Sequence, residues 1–349
     1  MKILKTAVVG LGRAGWSNHV RRILARPDRF SLVAVVDVSQ ERLAEAKEKH
    51  GIAGYTDVAA MIREVRPDLV VVASPTHLHK DHACTAMELG CDVFLDKPMA
   101  PDYETACQIA QCARRTGRKL MIYQPHRMKA EPNQLKAILA SGKLGKLYAL
   151  HRNECSYNRR ADWQAFRKFG GGMLNNYGAH YIDVALYVLN EKVNRLCCFT
   201  DTIASAGDAD DVVKAIFRTE SGVMLDVDIK QAGALCGPEW MLYGSTGAII
   251  SEVSPSGTPQ FRLRWYDGSA VPPITASENL AAANRTYNHD VPLPWVEEVI
   301  EVDPSYAIDC YETVYDHYAL DQPPFVPLEE TLYVMDLIRR CHESAEETI

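Results

Sequence analysis

Between residues 5 and 123 short β-branched runs alternate with amphipathic stretches, and this alternation constrains the fold more than any other feature of the sequence. The runs are Thr6–Val9, Leu32–Asp37, Leu69–Ala73, Val93–Leu95 and Lys119–Tyr123, and helical patterns lie near 14–25, 40–50, 57–65, 79–89 and 102–116. Strands separated by helices at this spacing imply βαβ units and a parallel, doubly wound sheet. The runs are continuously apolar, as strands covered on both faces must be. Pro67 and Pro101 mark points where helices stop or start.

After about residue 125 the rhythm changes. A helix near 129–141 ends at Ser141-Gly142, a strand follows over Leu147–Asn153, and Gly170–Gly172 opens a helix running to about Leu189. Strand-like runs then succeed one another at 196–201, 212–218, 222–230, 240–243 and 261–265, with turns at Glu220-Ser221-Gly222 and Asp267-Gly268. Strands in succession predict a large, mostly antiparallel sheet with helices on one face. Region 252–304, rich in Pro, Ser and Asn, reads as loop, and a final amphipathic helix runs from about Glu329 to Glu343. The 349 residues are expected to form two domains, 1–125 and 126–349, with the last helix packing back on the first.

Several functional classes are excluded on composition. A net charge of −7 argues against a protein that binds a phosphate backbone, which shows a basic stripe. No run of about 18 apolar residues is present, so no membrane span is expected. The opening MKILKTAVVG places Lys2 and Lys5 before an apolar run, but that run breaks at Gly10 and meets Arg13, so it reads as a first strand rather than a signal peptide. Ten cysteines are scattered without CxxC pairs, which predicts reduced, mostly buried thiols in a cytoplasmic protein. His77-x-His79 lacks neighbouring acids, and no group with metal-ligand spacing is found; nor is there a GxSxG elbow.

The segment Gly10-Leu11-Gly12-Arg13-Ala14-Gly15 is a GxGxxG placed directly after the first strand and opening the first helix. Gly10 permits a tight turn, Gly12 lets backbone approach a pyrophosphate, and Gly15 lets helix pack on strand; the helix N-terminus then offers free N–H groups to the phosphates. Asp37 ends the second strand 22 residues beyond Gly15, near the spacing at which a carboxylate accepts hydrogen bonds from the adenosine ribose and repels a 2′-phosphate. Strand, glycines, helix and acid agree on a Rossmann domain holding NAD in preference to NADP, although Ser39 and Arg42 stand close by.

Further along, Ser74-Pro75-Thr76-His77-Leu78-His79, Asp96-Lys97-Pro98, Gly170-Gly171-Gly172 and the spacing of Asn176, His180 and Asp183 resemble the Gfo/Idh/MocA oxidoreductases, named for glucose–fructose oxidoreductase and inositol dehydrogenase. The resemblance extends through Ser141–Gly145 and Tyr243–Gly247 and fails only in loop 252–304. It implies an NAD-dependent dehydrogenase acting on a hydroxyl of a sugar, polyol or derivative, assembled as a homodimer or homotetramer. By the same resemblance Lys97 donates a hydrogen bond to the reacting oxygen, and His180 removes the hydroxyl proton while Asp183, on the same helix face, holds or polarises it. Independently, Lys97 follows an apolar strand and so lies at the carboxyl edge of the sheet, where ligands bind in such folds. Ser74, Thr76, His79, Asp96 and Gln124 leave strands at that edge and are expected at the cofactor. Arg127, Tyr157, Trp163 and Arg167 are candidates for the substrate side, Arg127 also for a domain-bridging ion pair.

Two departures stand out. The family's usual Glu-Lys-Pro is shortened by one methylene to Asp96-Lys97-Pro98, and Asn176 occupies the position where inositol-type relatives carry Asp. An amide cannot offer negative charge to a developing imidazolium. Two other readings therefore stay open: a redox-assisted glycoside hydrolase or lyase that holds NAD without net oxidation, and a non-catalytic NAD-binding regulator. The retained Lys97 and His180 speak against the second.

Overall fold

The computed structural model describes residues 2–276, 278 and 292–347. In the first half, β1 (Leu4–Val9), β2 (Phe30–Val36), β3 (Ala53–Tyr55), β4 (Leu69–Val72), β5 (Asp92–Leu95) and β6 (Leu120–Ile122) form a wholly parallel sheet in the order β3-β2-β1-β4-β5-β6. A wide turn over Gly15–Val20 runs into α1 (Arg21–Leu24), and the other crossovers are α2 (Gln40–His50), α3 (Val58–Val65), α4 (His79–Glu88) and α5 (Tyr103–Thr116). Local chemistry sets their ends. Side chains of Ser39, Asp57 and Asp102 cap the first turns of α2, α3 and α5, and Gly51 and Gly117 terminate α2 and α5 in the left-handed region. The strand order reverses between β1 and β4, which opens a crevice at the carboxyl ends of those two strands.

The second half carries α6 (Ala130–Ala140), β7 (Leu147–Cys155), α7 (Ala179–Leu189), β8 (Val193–Asp201), β9 (Val212–Thr219), β10 (Met224–Lys230), β11 (Trp240–Gly244), β12 (Gly247–Val253), β13 (Pro259–Trp265), β14 (Val296–Glu301), α8 (Cys310–Leu320) and α9 (Leu328–Glu347). Its eight strands are ordered β14-β13-β12-β11-β7-β10-β9-β8, and every pairing is antiparallel except β7 with β10. Along β9, Val213, Ala215, Phe217 and Thr219 are buried against the helices while the intervening residues stay accessible. The sheet therefore has one covered face and one open face. On the open side Phe199 sits beside Lys214, which bridges Asp226 and Asp228, and Lys230 closes the row on Asp228.

The structure departs from the expected elements at four places. β3 was not anticipated, being three residues long, and neither was β12, which falls between the expected strand at 240–243 and the expected loop from 252. The region 252–304 read as loop ends in an edge strand, β14, although 279–291 lies outside the described residues. Nor was α8 foreseen. It covers the outer face of the first sheet, where Tyr311, Tyr315 and Tyr318 join Phe30, Phe94 and Tyr123 in one buried cluster. Meanwhile α9 packs on α5 and on β8, and Arg114 on α5 pairs with Glu329 at 2.7 Å. The expectation of reduced cysteines is corrected at one pair: Cys155, at the end of β7, and Cys236, in the loop before β11, stand 5.4 Å apart at Cα and are disulfide-bonded. The other eight are free thiols.

Candidate active site

The glycine loop is built by close approach. Gly10 has φ of +92°, and a Cβ there would stand 2.7 Å from Ala73 O and Ser74 N; at Gly15 it would stand 1.8 Å from Gly10 O. Internal packing thus accounts for both. At Gly12 a Cβ would meet nothing within 4 Å, so the protein's own packing gives no reason for its bare backbone, whereas a pyrophosphate lying on the loop does. Asp37 fits the same cofactor. It is buried at the end of β2, with Oδ2 accepting from the Leu11 amide at 2.7 Å and Oδ1 from the Ser39 amide at 2.8 Å. Ser39 spends its hydroxyl on the α2 cap, and Arg42 turns its guanidinium to Asp37 at 3.4 Å. Arg13 and Ala14 line the start of the helix, Arg13 exposed. Gln124, just past β6, is 2% exposed, and its Oε1 is buried without a hydrogen-bond donor.

Replacing Asp37 by Ser removes the carboxylate and frees Arg42. We expect the preference for NAD over NADP, measured as the ratio of kcat/KM values, to fall by roughly 10²-fold. An unchanged ratio would mean that Asp37 does not face the ribose.

Lys97 lies between two neighbours that define it. Its Nζ donates to Asn176 Oδ1 at 2.8 Å and to Asn176 O at 3.2 Å, and Asn176 Nδ2 donates in turn to Gln164 Oε1 at 3.2 Å. An ammonium has three donors, so one proton stays uncommitted for a ligand. Burial, with help from Arg13 and Arg160 and against the pull of Asp96, brings the Lys97 pKa down to about 8. Asp96 itself turns inward: Oδ1 accepts from the Lys97 amide at 2.8 Å, and Oδ2 lies 3.6 Å from Nε2 of the fully buried His19, whose Nδ1 meets the Tyr311 hydroxyl at 2.9 Å. Burial opposes charge on Asp96, yet His19, Lys97 and His79 hold its carboxyl below the usual range.

The helix that bears His180 starts where Gly171 and Gly172 let the chain fold tightly. A Cβ at Gly171 would reach 2.3 Å from Gln164 O, and one at Gly172 would reach 2.4 Å from Asp210 Oδ1. Asp210 Oδ2 accepts from the Leu174 amide at 2.7 Å and so caps this start. His180 is 6% exposed, its Nδ1 is sealed without a partner, and its ring stacks on His126 at 4.3 Å between centroids and 27° between planes. Burial first, then the charges of Lys97, Lys129 and Arg152, and that of His126 once protonated, push the His180 pKa well below the ordinary histidine value.

Three expected contacts come out differently. Asp183 does not reach His180. It takes a bidentate ion pair from Arg127, Nε at 2.7 Å and Nη2 at 2.6 Å, both residues buried. Arg127 is accordingly a structural tie rather than a substrate contact, its remaining Nη1 going to Glu330 on α9. His79 does not face a cofactor either: its Nδ1 lies 2.9 Å from Pro98 O and its Nε2 2.8 Å from Ser74 O, bracing two loops of the sheet edge together. Of the remaining candidates, Thr76 is buried just past β4, and Ser74 Oγ contacts His82 Nδ1 at 2.9 Å. Trp163 meets His77 edge-on at 6.2 Å, bringing its loop against the first sheet. Tyr157 is 59% exposed, and Arg167 is held by Asp208, its charge also felt at Asp210 and His342. Sequence reasoning missed His19, His126, Gln164 and Asp210; only His126 had a visible signal, lying between the selected Gln124 and Arg127. Among the described residues no cluster of His, Cys, Asp and Glu could hold a metal ion, and no helix is long and apolar enough to cross a membrane.

Comparison with known proteins gives the same picture. Residues 4–124 match the family model described as oxidoreductase family, NAD-binding Rossmann fold, and residues 133–250 match the GFO/IDH/MocA C-terminal domain. The chain is 33% identical over 190 residues to a D-glucoside 3-dehydrogenase of Escherichia coli (strain K12), covering 53% of this chain and 54% of that one. It is 29% identical over 232 residues to an inositol 2-dehydrogenase of Streptomyces avermitilis, covering 65% and 66%. These alignments span about half to two thirds of the relatives' own length. Among solved structures, an NAD-binding protein from Listeria innocua superposes with a TM-score of 0.82 at 22% identity over 99% of this chain and 96% of that one. The WlbA dehydrogenase from Bordetella pertussis, in complex with NADH and UDP-GlcNAcA, does so at 0.77 and 22% over 100% and 98%. At such identities the likeness concerns the fold.

Proposed function

The chain belongs to the GFO/IDH/MocA oxidoreductases with their NAD-binding Rossmann fold, and from that premise we propose that it is a dehydrogenase acting on a hydroxyl of a sugar, polyol or derivative. The observation that carries this reading is that Lys97, held by Asn176, lies within electrostatic reach of the buried His180, whose burial disfavours its charged form. The relatives named D-glucoside 3-dehydrogenase and inositol 2-dehydrogenase support the substrate class.

NAD⁺, when bound along the glycine loop with its adenosine ribose at Asp37, supplies a hydride acceptor. The protein's residues do the rest. Asn176 uses two of the Lys97 protons and so aims the third, which polarises the reacting oxygen in a site where burial strengthens each interaction. His180, neutral at working pH, takes the hydroxyl proton on Nε2, since Nδ1 is sealed. Arg127 and Asp183 fix the helix that carries it. The open face of the second sheet, with Phe199 46% exposed, supports a homodimer or homotetramer.

Incubation with NAD⁺ and a panel of sugars, polyols and aryl glycosides, followed at once for NADH and for released aglycone, tests the reading. NADH growth with one substrate class is the expected result. NAD⁺-dependent aglycone release without NADH would instead establish the redox-assisted hydrolase, and no turnover of either kind would leave the regulator.

A further inference from the structure

We propose that His126 is a positioning residue for His180: its stacked ring is the platform that supports the positive charge His180 acquires on accepting a proton. The proposal rests on His180 being the base of the dehydrogenase. Proton accounting is simple. The hydroxyl O–H bond breaks, an N–H bond forms at His180 Nε2, and the two electrons of the C–H bond leave with the hydride accepted by NAD⁺.

The geometry points to this role in three ways. First, no carboxylate is available. Asn176, one turn before His180, is an amide committed to Lys97 and Gln164, and Asp183, one turn after, is committed to Arg127. His180 Nδ1 is sealed with no hydrogen-bond partner, so nothing on that side answers an added proton. Second, the groups that face His180 are otherwise unhelpful: the charges of Lys97, Lys129 and Arg152 repel an imidazolium, as His126 would were it protonated, and the rings of Tyr177 and Tyr181 stand 6.4 Å away at each centroid. Third, His126 lies nearly parallel to His180 at 4.3 Å, with Tyr181 edge-on to its ring at 5.1 Å and 83°. A cation is attracted to the face of a neutral aromatic ring, and more so where both are desolvated. Burial, followed by Lys129, Arg152 and Lys97, brings the His126 pKa down to about 3, so the ring stays neutral at any working pH. A stacked pair cannot share a proton through a linear hydrogen bond, so His126 supports charge and does not relay it.

Two variants separate this from simple packing. His126→Phe keeps an aromatic face, and His126→Leu keeps bulk without one. The direct readout is imidazole NMR titration of His180 in the cofactor-free protein. We expect His126→Leu to lower its pKa by roughly 0.5–1.5 units, with His126→Phe staying near wild type. In turnover, kcat/KM on whichever of methyl β-D-glucoside and myo-inositol the wild type oxidises should fall about 3- to 30-fold in His126→Leu, with the acid limb moving to lower pH, and stay within about twofold in His126→Phe. Equal behaviour of the two variants, an unchanged or raised pKa in His126→Leu, or a wild-type His180 that stays neutral down to pH 4 would overturn the proposal. Wild-type protein that oxidises neither substrate would count against the dehydrogenase reading, while the titration would still decide the role of His126.

Discussion

Replacing Lys97 by Met is expected to lower turnover by about 10²–10⁴-fold while making the cofactor-free protein more resistant to heat. The first effect follows from losing the donor aimed at the reacting oxygen. The second follows from burial. In the unfolded chain Lys97 titrates at 10.5, in the folded protein at about 8, so below pH 8 folding carries the cost of keeping a poorly solvated ammonium charged. By linkage that cost is on the order of 3 kcal/mol, reduced by the hydrogen bonds to Asn176 that Met forgoes. The sign is definite. Between pH 8 and 10.5 the unfolded state binds the extra proton, so wild-type stability from this group rises with pH across that window. The advantage of the Met variant should be full below pH 8 and vanish by about pH 10.5. Thermal melts across this range, paired with single-turnover rates and NAD⁺ binding, check both halves. Retained turnover would remove Lys97 from the mechanism, and a lower melting temperature at pH 7 would show that its contacts with Asn176 outweigh its desolvation.

The second large effect is expected at Arg127 and Asp183. Removing one partner of a buried ion pair leaves the other charge without compensation, at a cost of about 3–5 kcal/mol. Asp183→Asn and Arg127→Met should each destabilise on this scale in urea unfolding, whereas the Arg127→Met/Asp183→Leu double variant should recover much of the loss, because two apolar groups replace two charges. Activity should not recover in parallel. The pair ties the turn carrying His126 to the helix carrying His180, so a repaired core without the tie leaves the two imidazoles free to drift. A double variant as unstable as the singles would show that the pair is held by more than mutual compensation.

The first sheet was legible because its signals are local. Every apolar run but the three-residue β3 is long enough to register, α2, α3 and α5 each have a side-chain cap, and the glycine loop binds three constraints into six residues. The elements that escaped are those whose reason lies elsewhere in the chain. β14 reads Val-Glu-Glu-Val-Ile-Glu, an edge strand with little burial of its own, next to a stretch without pattern. α8 reads Cys-Tyr-Glu-Thr-Val-Tyr-Asp-His-Tyr-Ala-Leu, where tyrosines rather than aliphatic residues make the buried stripe.

The active site divides in the same way. Lys97, Asn176 and His180 were found through a resemblance and through their place at a strand end or helix start. The partners of those residues were not, because Arg127 and Asp183 are 56 positions apart and His19 and Tyr311 are 292 apart. Three-residue spacing on a helix shows which side chains share a face, and it cannot show that one of them has been claimed by a residue far away in the sequence. Nor could residue type alone show that His79 spends both ring nitrogens on carbonyls.

The placement of α8 also bears on how the chain reaches its fold during synthesis. Tyr311, Tyr315 and Tyr318 complete a cluster whose other members come mainly from residues 4–128, so the ribosome must release the first sheet with that face uncovered. Some two hundred residues are translated before the missing helix appears, which at about 5–20 residues per second leaves Phe30, Phe94 and Tyr123 unshielded for roughly ten seconds or more. During that interval the nascent chain is most open to aggregation and most in need of a chaperone. A nonsense mutation anywhere before codon 310 would make that exposure permanent.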